Sequence, residues 1–549
     1  MEYIEKTLGQ VLREKAKAHP DHDFLVYADR DLRFTYGEFD KRVDDLAKGF
    51  LAMGLKKGDH VGLWATNVPD YNTILFACAR LGIVFVTVNT NYKTTELEYL
   101  IKQADLACIC VSDGVRDSDY VAMVNELVPE LKTMPKGQLK SEKFPFLKYA
   151  VYVGQKDFRG MYSLNELFLI GQNTDDAEYR KIETTLDRSD VACMIYTSGT
   201  TGFPKGVMLT HRNILNNGLA AGDGQHFTEK DILCLPLPLF HSFALTLGVI
   251  GVLTHGSAIA ILDFDPLLVL ATVQKEKCTS LYGVPTMFIA ELNHPMFNMF
   301  DLRTLRTGVM AGSPCPIETM RQVIDRMHAS EMTIGFGLTE ATPTVSQTRY
   351  DDPIEVKVET IGRAIPGTEV EIRDPETGEE CPVGVHGEIC CRGHNIMKGY
   401  YKMPEETAKA IDKEGWLHTG DLGVKDENGN FRVTGRIKDM IIRGGENVYP
   451  KEIEDFLYTM PGIKDVQVVG IASKKYGEEV GAFITLREGA VINEEDVRSY
   501  CKGKISRFKI PSYVFFVDSF PMNASGKIPK NLLREMGNKK AAELGAPDS

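Results

Sequence analysis

From residue 35 to residue 111 the chain alternates helix-forming and strand-forming segments, and this constrains the fold more than any other feature. Thr35-Tyr36-Gly37-Glu38 is a capping box, in which hydroxyl and carboxylate each satisfy the other residue's backbone amide. It opens a helix that places Phe39, Val43, Leu46, Ala47 and Phe50 on one face. Gly58-Asp59 leads into a strand over 60–65, and Asn67-Val68-Pro69-Asp70 into a helix through Leu81. Residues 83–88 form a β-branched and aromatic run, Thr95 with Glu98 predicts another capping box, and Leu106–Val111 the next strand. Strands joined through helices pair in parallel, with both sheet faces covered. The expected class is α/β, with a large N-terminal domain of stacked α/β layers.

At 549 residues the chain exceeds what a single core accommodates. Residues 112–150, with prolines at 129, 135 and 145, read as an excursion from the sheet, and 190–350 resume the alternation. From 361 to 397 short strands separated by turns such as Asp374-Pro375-Glu376-Thr377-Gly378 predict a small β-rich subdomain. A boundary falls near 435–439. Beyond it Tyr449-Pro450-Lys451-Glu452 starts a helix bearing Ile453, Phe456, Leu457 and Met460 on one face. Strands over 466–471, 482–486 and 514–517 and a helix over Glu494–Cys501 complete a small α+β domain. The expected division is 1–435, a hinge at 436–439, and a C-terminal domain at 440–549.

A net charge of −13 argues against a nucleic-acid partner. The eleven cysteines include no Cys-x-x-Cys pair and read as core residues of a reducing compartment. The first residues lack the basic start and apolar core of a signal peptide. Residues 243–262 are mostly apolar, but Gly256-Ser257 breaks them into a helix and a strand rather than a membrane span. The expectation is a cytoplasmic enzyme without a transmembrane segment, its oligomeric state left open with a homodimer allowed.

Tyr196-Thr197-Ser198-Gly199-Thr200-Thr201-Gly202-Phe203-Pro204-Lys205-Gly206 lies between the apolar runs 191–195 and 207–209. Glycines let backbone amides converge on an anion, hydroxyls add donors, and Lys205 adds charge. This is a phosphate cradle, and not a Walker A loop, because Lys205 is preceded by Pro204 and followed by Gly206. Other stretches are weaker alone. His241 and Phe243 sit in an apolar run, Ala311-Gly312-Ser313-Pro314 is a small-residue turn, and Gly335-Phe336-Gly337-Leu338-Thr339-Glu340 sets an aromatic between glycines. Asp421 and Arg436, the turn Arg443-Gly444-Gly445-Glu446, and Ser525-Gly526-Lys527 each have ordinary structural readings too: a turn, a surface charge, a solvated lysine.

Taken together and in this order, these motifs resemble the adenylate-forming (AMP-binding) superfamily, over about residues 8 to 535. The resemblance implies that Thr197, Ser198, Gly199, Thr200, Thr201, Gly202 and Lys205 bind the phosphates of ATP. Gly312, Ser313, Pro314, Gly335, Phe336, Gly337, Leu338 and Thr339 border adenine and the acyl head, Phe336 standing where Tyr is usual. It further implies that Glu340 helps hold Mg²⁺, that His241 orients the carboxylate, and that His241, Phe243 and Gly312 line the acyl pocket. Asp421 would accept from the ribose hydroxyls and Arg436 contact ribose and phosphate. Lys438 would be the hinge, Gly444, Gly445 and Glu446 would line the CoA tunnel, and Lys527 would be the adenylation lysine. Lys527, Lys205, His241 and Thr339 are thereby the expected catalytic set.

The implied reaction joins a carboxylate to AMP, releases pyrophosphate, then passes the acyl group to a thiol. Acid–CoA ligation on a fatty acid leads, with ATP, Mg²⁺, CoA and the acid as small-molecule partners. An aryl or alicyclic acid, a carrier-protein acceptor, and a non-catalytic acyl- or nucleotide-binding protein are the competing readings.

Overall fold

A computed structural model of the chain describes residues 1–197, 204–444, 446–521 and 528–544. They form two compact units, Met1–Val370 with Cys391–Leu417, and Glu371–Cys390 with His418–Ser549.

The first unit holds two large sheets. In one, the strands run in the order Arg363–Ala364, Thr344–Gln347, Glu331–Gly337, Thr307–Ala311, Ser280–Gly283, Ile232–Leu235, Ala258–Ile261, Asp23–Tyr27 and Leu32–Thr35. Its centre is parallel, from Glu331–Gly337 to Asp23–Tyr27, with antiparallel pairs at both edges. The other runs Gly399–Tyr400, Lys205–Thr210, Val191–Thr197, Val84–Thr87, His60–Trp64, Leu106–Val111, Tyr149–Tyr152 and Tyr162–Ser163. Strands His60–Trp64 and Leu106–Val111 are buried along their whole length, as a sheet covered on both faces requires.

The expected helices form for the expected reasons. Thr35 caps Tyr36–Met53, with Glu38 returning the bond, and Phe39, Val43, Leu46, Ala47 and Phe50 are fully buried. Burial of that size stabilises by roughly 1.5–3 kcal/mol for each of the larger side chains, Ala47 excepted. One start differs from expectation. The helix Thr94–Gln103 is capped at Lys93, whose amide donates to Glu96. Glu98 instead meets Lys102 and Lys143, so Thr95 with Glu98 is no capping box. The apolar stretch near 250 is a π-helix, Phe243–Ile250, then a short helix Gly251–His255 that stops at left-handed Gly256, then strand Ala258–Ile261. Among the described residues no helix is long and apolar enough to cross a membrane.

The second unit contains the antiparallel pair Leu417–Lys425 and Phe431–Arg436. Its largest sheet runs Glu446–Val448, Ile441–Arg443, Gly477–Leu486 and Ile463–Ser473, with Tyr513–Phe516 parallel to Gly477–Leu486. Helix Pro450–Tyr458, with Pro450 in its first turn, buries Ile453 and Leu457 against that sheet's core.

Candidate active site

Two paired strands flank the predicted cradle. Thr197 closes Val191–Thr197, Lys205 opens Lys205–Thr210, and the two residues face each other in antiparallel register. Ser198, Gly199, Thr200, Thr201 and Gly202 lie outside the described residues. The described flanks of the cradle are held from helix Thr94–Gln103: Tyr99 donates to the Pro204 carbonyl at 3.1 Å, and Tyr196 to Gln103. A Cβ at Gly206 would sit 2.7 Å from the Met194 sulfur, so a side chain there would push that thioether aside.

The edge strand Gly399–Tyr400 pairs with Lys205–Thr210, Tyr400 opposite Val207. The Tyr401 amide donates to the Gly206 carbonyl at 2.8 Å. This pairing delivers Tyr400 between two predicted site residues. Its phenol donates to Glu340 Oε1 at 2.8 Å, and its ring centre lies 4.9 Å from Lys205 Nζ. Burial and the adjoining Glu340 carboxylate push the phenol well up, so it remains a donor. Lys205 also meets Glu406 Oε2 at 2.5 Å. Sequence reasoning missed Tyr400 and Glu406. The only trace was Pro404-Glu405-Glu406, which marks a helix start.

Glu340 sits in a single 3-10 turn, Thr339–Ala341, beyond the strand that carries Gly335, Phe336 and Gly337. Met397 donates its amide to the Glu340 carbonyl at 2.9 Å, and Asn217 and Asn395 both donate to the Thr344 carbonyl. Gly337 has no room for a side chain, because a Cβ would lie 1.7 Å from the Pro343 oxygen. The Leu338 amide closes the turn onto that same carbonyl at 2.9 Å. Phe336 is half-buried opposite Ser346. Gly312, at φ 91°, follows Ala311, which pairs with Gly335, so the small-residue turn lies beside the Phe336 strand. Ser313 and Pro314 are exposed there.

His241 is exposed, and its Nδ1 accepts from the Phe243 amide at 3.2 Å, which puts the proton of the neutral ring on Nε2. Ser242 Oγ lies 3.5 Å from Thr339 Oγ1, linking this segment to the Glu340 turn. Phe243 stacks on Tyr282, with ring centres 5.7 Å apart. The first unit thus brings together Lys205, Tyr400 and Glu340, and separately His241, Ser242 and Thr339, with the second set joined to the first through the Thr339–Ala341 turn.

In the second unit Asp421 is 6% exposed and accepts from Arg436 Nε at 2.8 Å across a strand pair. The strand just before it is pinned: Gly420 donates its amide to Glu388 Oε1 at 2.9 Å, and Thr419 its hydroxyl to the Ile389 carbonyl. Among the described residues Glu388, Cys390 and His418 form the one group spaced to hold a metal. Hydrogen bonds account for that spacing, since His418 Nδ1 and the Gly420 amide occupy both Glu388 oxygens. Lys438 is exposed in the 3-10 turn Ile437–Asp439. Gly444, at φ 60°, turns between strands Ile441–Arg443 and Glu446–Val448, with Glu446 exposed. Gly445 and Lys527 lie outside the described residues.

Two family models match: AMP-binding enzyme over residues 12–401, and AMP-binding enzyme C-terminal domain over 452–527. The chain is 52% identical over 535 residues to YngI of Bacillus subtilis (strain 168), which is named as an acyl-CoA synthetase, covering 97% of each chain. It is 38% identical to the mitochondrial medium-chain acyl-CoA ligase ACSF2 of Danio rerio, covering 97% of this chain and 89% of that one. Among solved structures, ATP-bound MatB from Rhodopseudomonas palustris superposes with a TM-score of 0.82 at 29% identity, covering 97% and 99%.

Proposed function

The chain belongs to the family of AMP-binding enzymes, and from that premise we propose how its residues divide the work of an acid–CoA ligase. The activity is that of an AMP-forming acyl-CoA synthetase: carboxylate, ATP and CoA become acyl-CoA, AMP and pyrophosphate through an acyl-adenylate. The whole-length match to YngI carries this reading.

In the first half-reaction one anion attacks another, so the site must neutralise charge. Lys205 and the amides of its loop hold the departing β,γ-phosphates, and Lys527 meets the attacking carboxylate and the α-phosphate. Phe336 and the Gly312 turn receive the adenine, and Asp421 and Arg436 the ribose. His241, with its proton on Nε2, orients the carboxylate, and Phe243 on Tyr282 forms the apolar wall beside it. Glu340 suits Mg²⁺, because a carboxylate already oriented by one phenol offers the oxygen ligand that ion prefers. Bound there, Mg²⁺ would supply charge neutralisation on the triphosphate.

In the second half-reaction Lys527 must give way to the thiol. The 440–549 domain turns about Lys438, bringing Gly444, Gly445 and Glu446 to the CoA tunnel. The acid is a fatty acid, and the ACSF2 name favours a medium chain. A cytoplasmic setting fits eleven cysteines that are all free thiols. A panel of straight-chain, aromatic and alicyclic acids, scored for CoA-dependent AMP release, tests the reading. Medium straight-chain acids should give the highest kcat/KM. AMP release that needs a carrier protein instead of CoA would refute the acceptor, and an aromatic optimum the acid.

A further inference from the structure

Lys205 already has an anionic partner that belongs to the fold. Its ammonium meets Glu406 Oε2 at 2.5 Å, with the side chains 12% and 27% exposed. Helix Pro404–Ala410, which follows directly on the Gly399–Tyr400 strand, carries Glu406. Glu406 has a second cation as well, Lys409 at 2.6 Å on its other oxygen. The Lys205 contact holds the Glu406 carboxyl at about 2, so it is a full anion across the working pH range.

The surroundings suit an exchange of partners. The Tyr400 ring lies 4.9 Å from the ammonium, and an aromatic face attracts a cation without fixing its direction. A lysine head is a compact charge on a flexible stem, and it turns from one anion to another without losing a bidentate geometry. When Lys205 turns away, Lys409 still neutralises Glu406, so no carboxylate is left stranded.

We propose that Glu406 is a resident counter-anion that competes with the β,γ-phosphates of ATP, and with product pyrophosphate, for the ammonium of Lys205. The proposal rests on the reading of Lys205 as a phosphate-binding residue. Its consequence falls on how long the phosphates are held. A cradle lysine with no competitor would hold pyrophosphate after the adenylate has formed and so favour the reverse reaction. Glu406 takes the ammonium back as pyrophosphate departs, which weakens product binding and speeds its release, at a matching cost in the hold on ATP. The competitor is part of the chain, so dilution does not remove it.

The test is the binding of inorganic pyrophosphate to the full-length protein with Mg²⁺ at low ionic strength, followed by calorimetry. It is paired with product inhibition of AMP release. Glu406→Gln should bind pyrophosphate roughly three- to tenfold more tightly, with inhibition strengthened to match. In a Lys205→Ala background the same change should do nothing. Glu406→Gln that weakens pyrophosphate binding overturns the proposal, because Glu406 would then be positioning Lys205. Unchanged binding in Glu406→Gln beside a clear loss in Lys205→Ala also overturns it. If Lys205→Ala itself binds pyrophosphate like the parent, the phosphate-binding reading has failed and the proposal falls with it. Glu406 is on a surface helix, and an unaltered Tm confirms that each variant is folded.

Discussion

Asp421 and Arg436 face each other across a two-stranded pair, and the guanidinium Nε donates to the buried carboxylate at 2.8 Å. The two residues assigned to the ribose are therefore pre-assembled: the arginine sets the direction of the buried carboxylate, and the carboxylate anchors Nε of a guanidinium that is half exposed. Asp421→Asn preserves the shape and removes the charge. It should raise the KM for ATP about tenfold or more and leave the KM for CoA unchanged. Steady-state kinetics with each substrate varied in turn decides this, and an unchanged KM for ATP would remove Asp421 from the nucleotide site.

Tyr400→Phe keeps the ring beneath Lys205 and deletes the bond to Glu340. Glu340 then loses its orientation. Half-maximal activity should need about three- to tenfold more Mg²⁺, given what a bond to a charged acceptor is worth. The Tm should hardly move. A Mg²⁺ titration of AMP release is the measurement, and a parental titration curve would show that the phenol does not matter to the metal.

Lys527→Ala should abolish adenylate formation while sparing thioesterification of synthetic acyl-adenylate. Lys438→Pro should do the opposite, sparing the first half-reaction and slowing the second, since proline fixes φ in the turn Ile437–Asp439. Separate assays of the two half-reactions distinguish them. Equal damage to both steps in either variant would contradict its assigned role.

Gly337→Ala forces a methyl group onto the Pro343 carbonyl, 1.7 Å away, and so should cost on the order of 2–3 kcal/mol and displace the Glu340 turn. Gly435→Ala is the control, since a Cβ there meets nothing within 4 Å. Thermal unfolding should show a clear fall in Tm for the first and almost none for the second.

His211 is fully buried, and its Nδ1 accepts the Leu8 amide at 3.2 Å, tying the helix Leu8–Ala18 to the first unit. Burial pushes its imidazole down to about 4, against the opposing pull of Asp190. The unfolded chain therefore takes up a proton more readily than the folded one. The neutral ring's full contribution is present above about pH 6.5, and it is lost as the pH falls toward about 4. The whole span is about 3 kcal/mol. The Tm of the parent should fall more steeply over that range than the Tm of His211→Gln, and parallel curves would exclude His211 as the cause.

The sequence disclosed those parts whose determinants are local. Thr35 and Glu38 are three residues apart and cap their helix, and Phe39, Val43, Leu46, Ala47 and Phe50 repeat at helical spacing and fill the core. At Lys93 the signal misled, because neighbouring threonines and two glutamates offer alternative boxes and only tertiary packing selects Glu96. The site was legible as motifs and not as contacts. Gly335-Phe336-Gly337 and Asp421 are recognisable from their flanking glycines, and Glu340 from its place in a motif. The meeting of Tyr400 with Glu340 and Lys205 depends on Val207 pairing with Tyr400, a register between strands far apart in the chain. No local pattern encodes such a register.

The π-helix at Phe243–Ile250 makes this segment sensitive to a change in length. Its last turn closes with the Gly251 amide reaching back to the Thr246 carbonyl, one residue farther than an α-helix reaches. A wider coil of this kind accommodates one residue more than the tighter coil would. Remove one residue between Phe243 and Ile250, and the segment can relax to ordinary pitch. That relaxation would rotate everything before it, carrying the Phe243 ring off Tyr282 and moving His241 with it. Substitutions here should therefore be tolerated far better than single-residue deletions, even conservative ones at the helix's apolar positions.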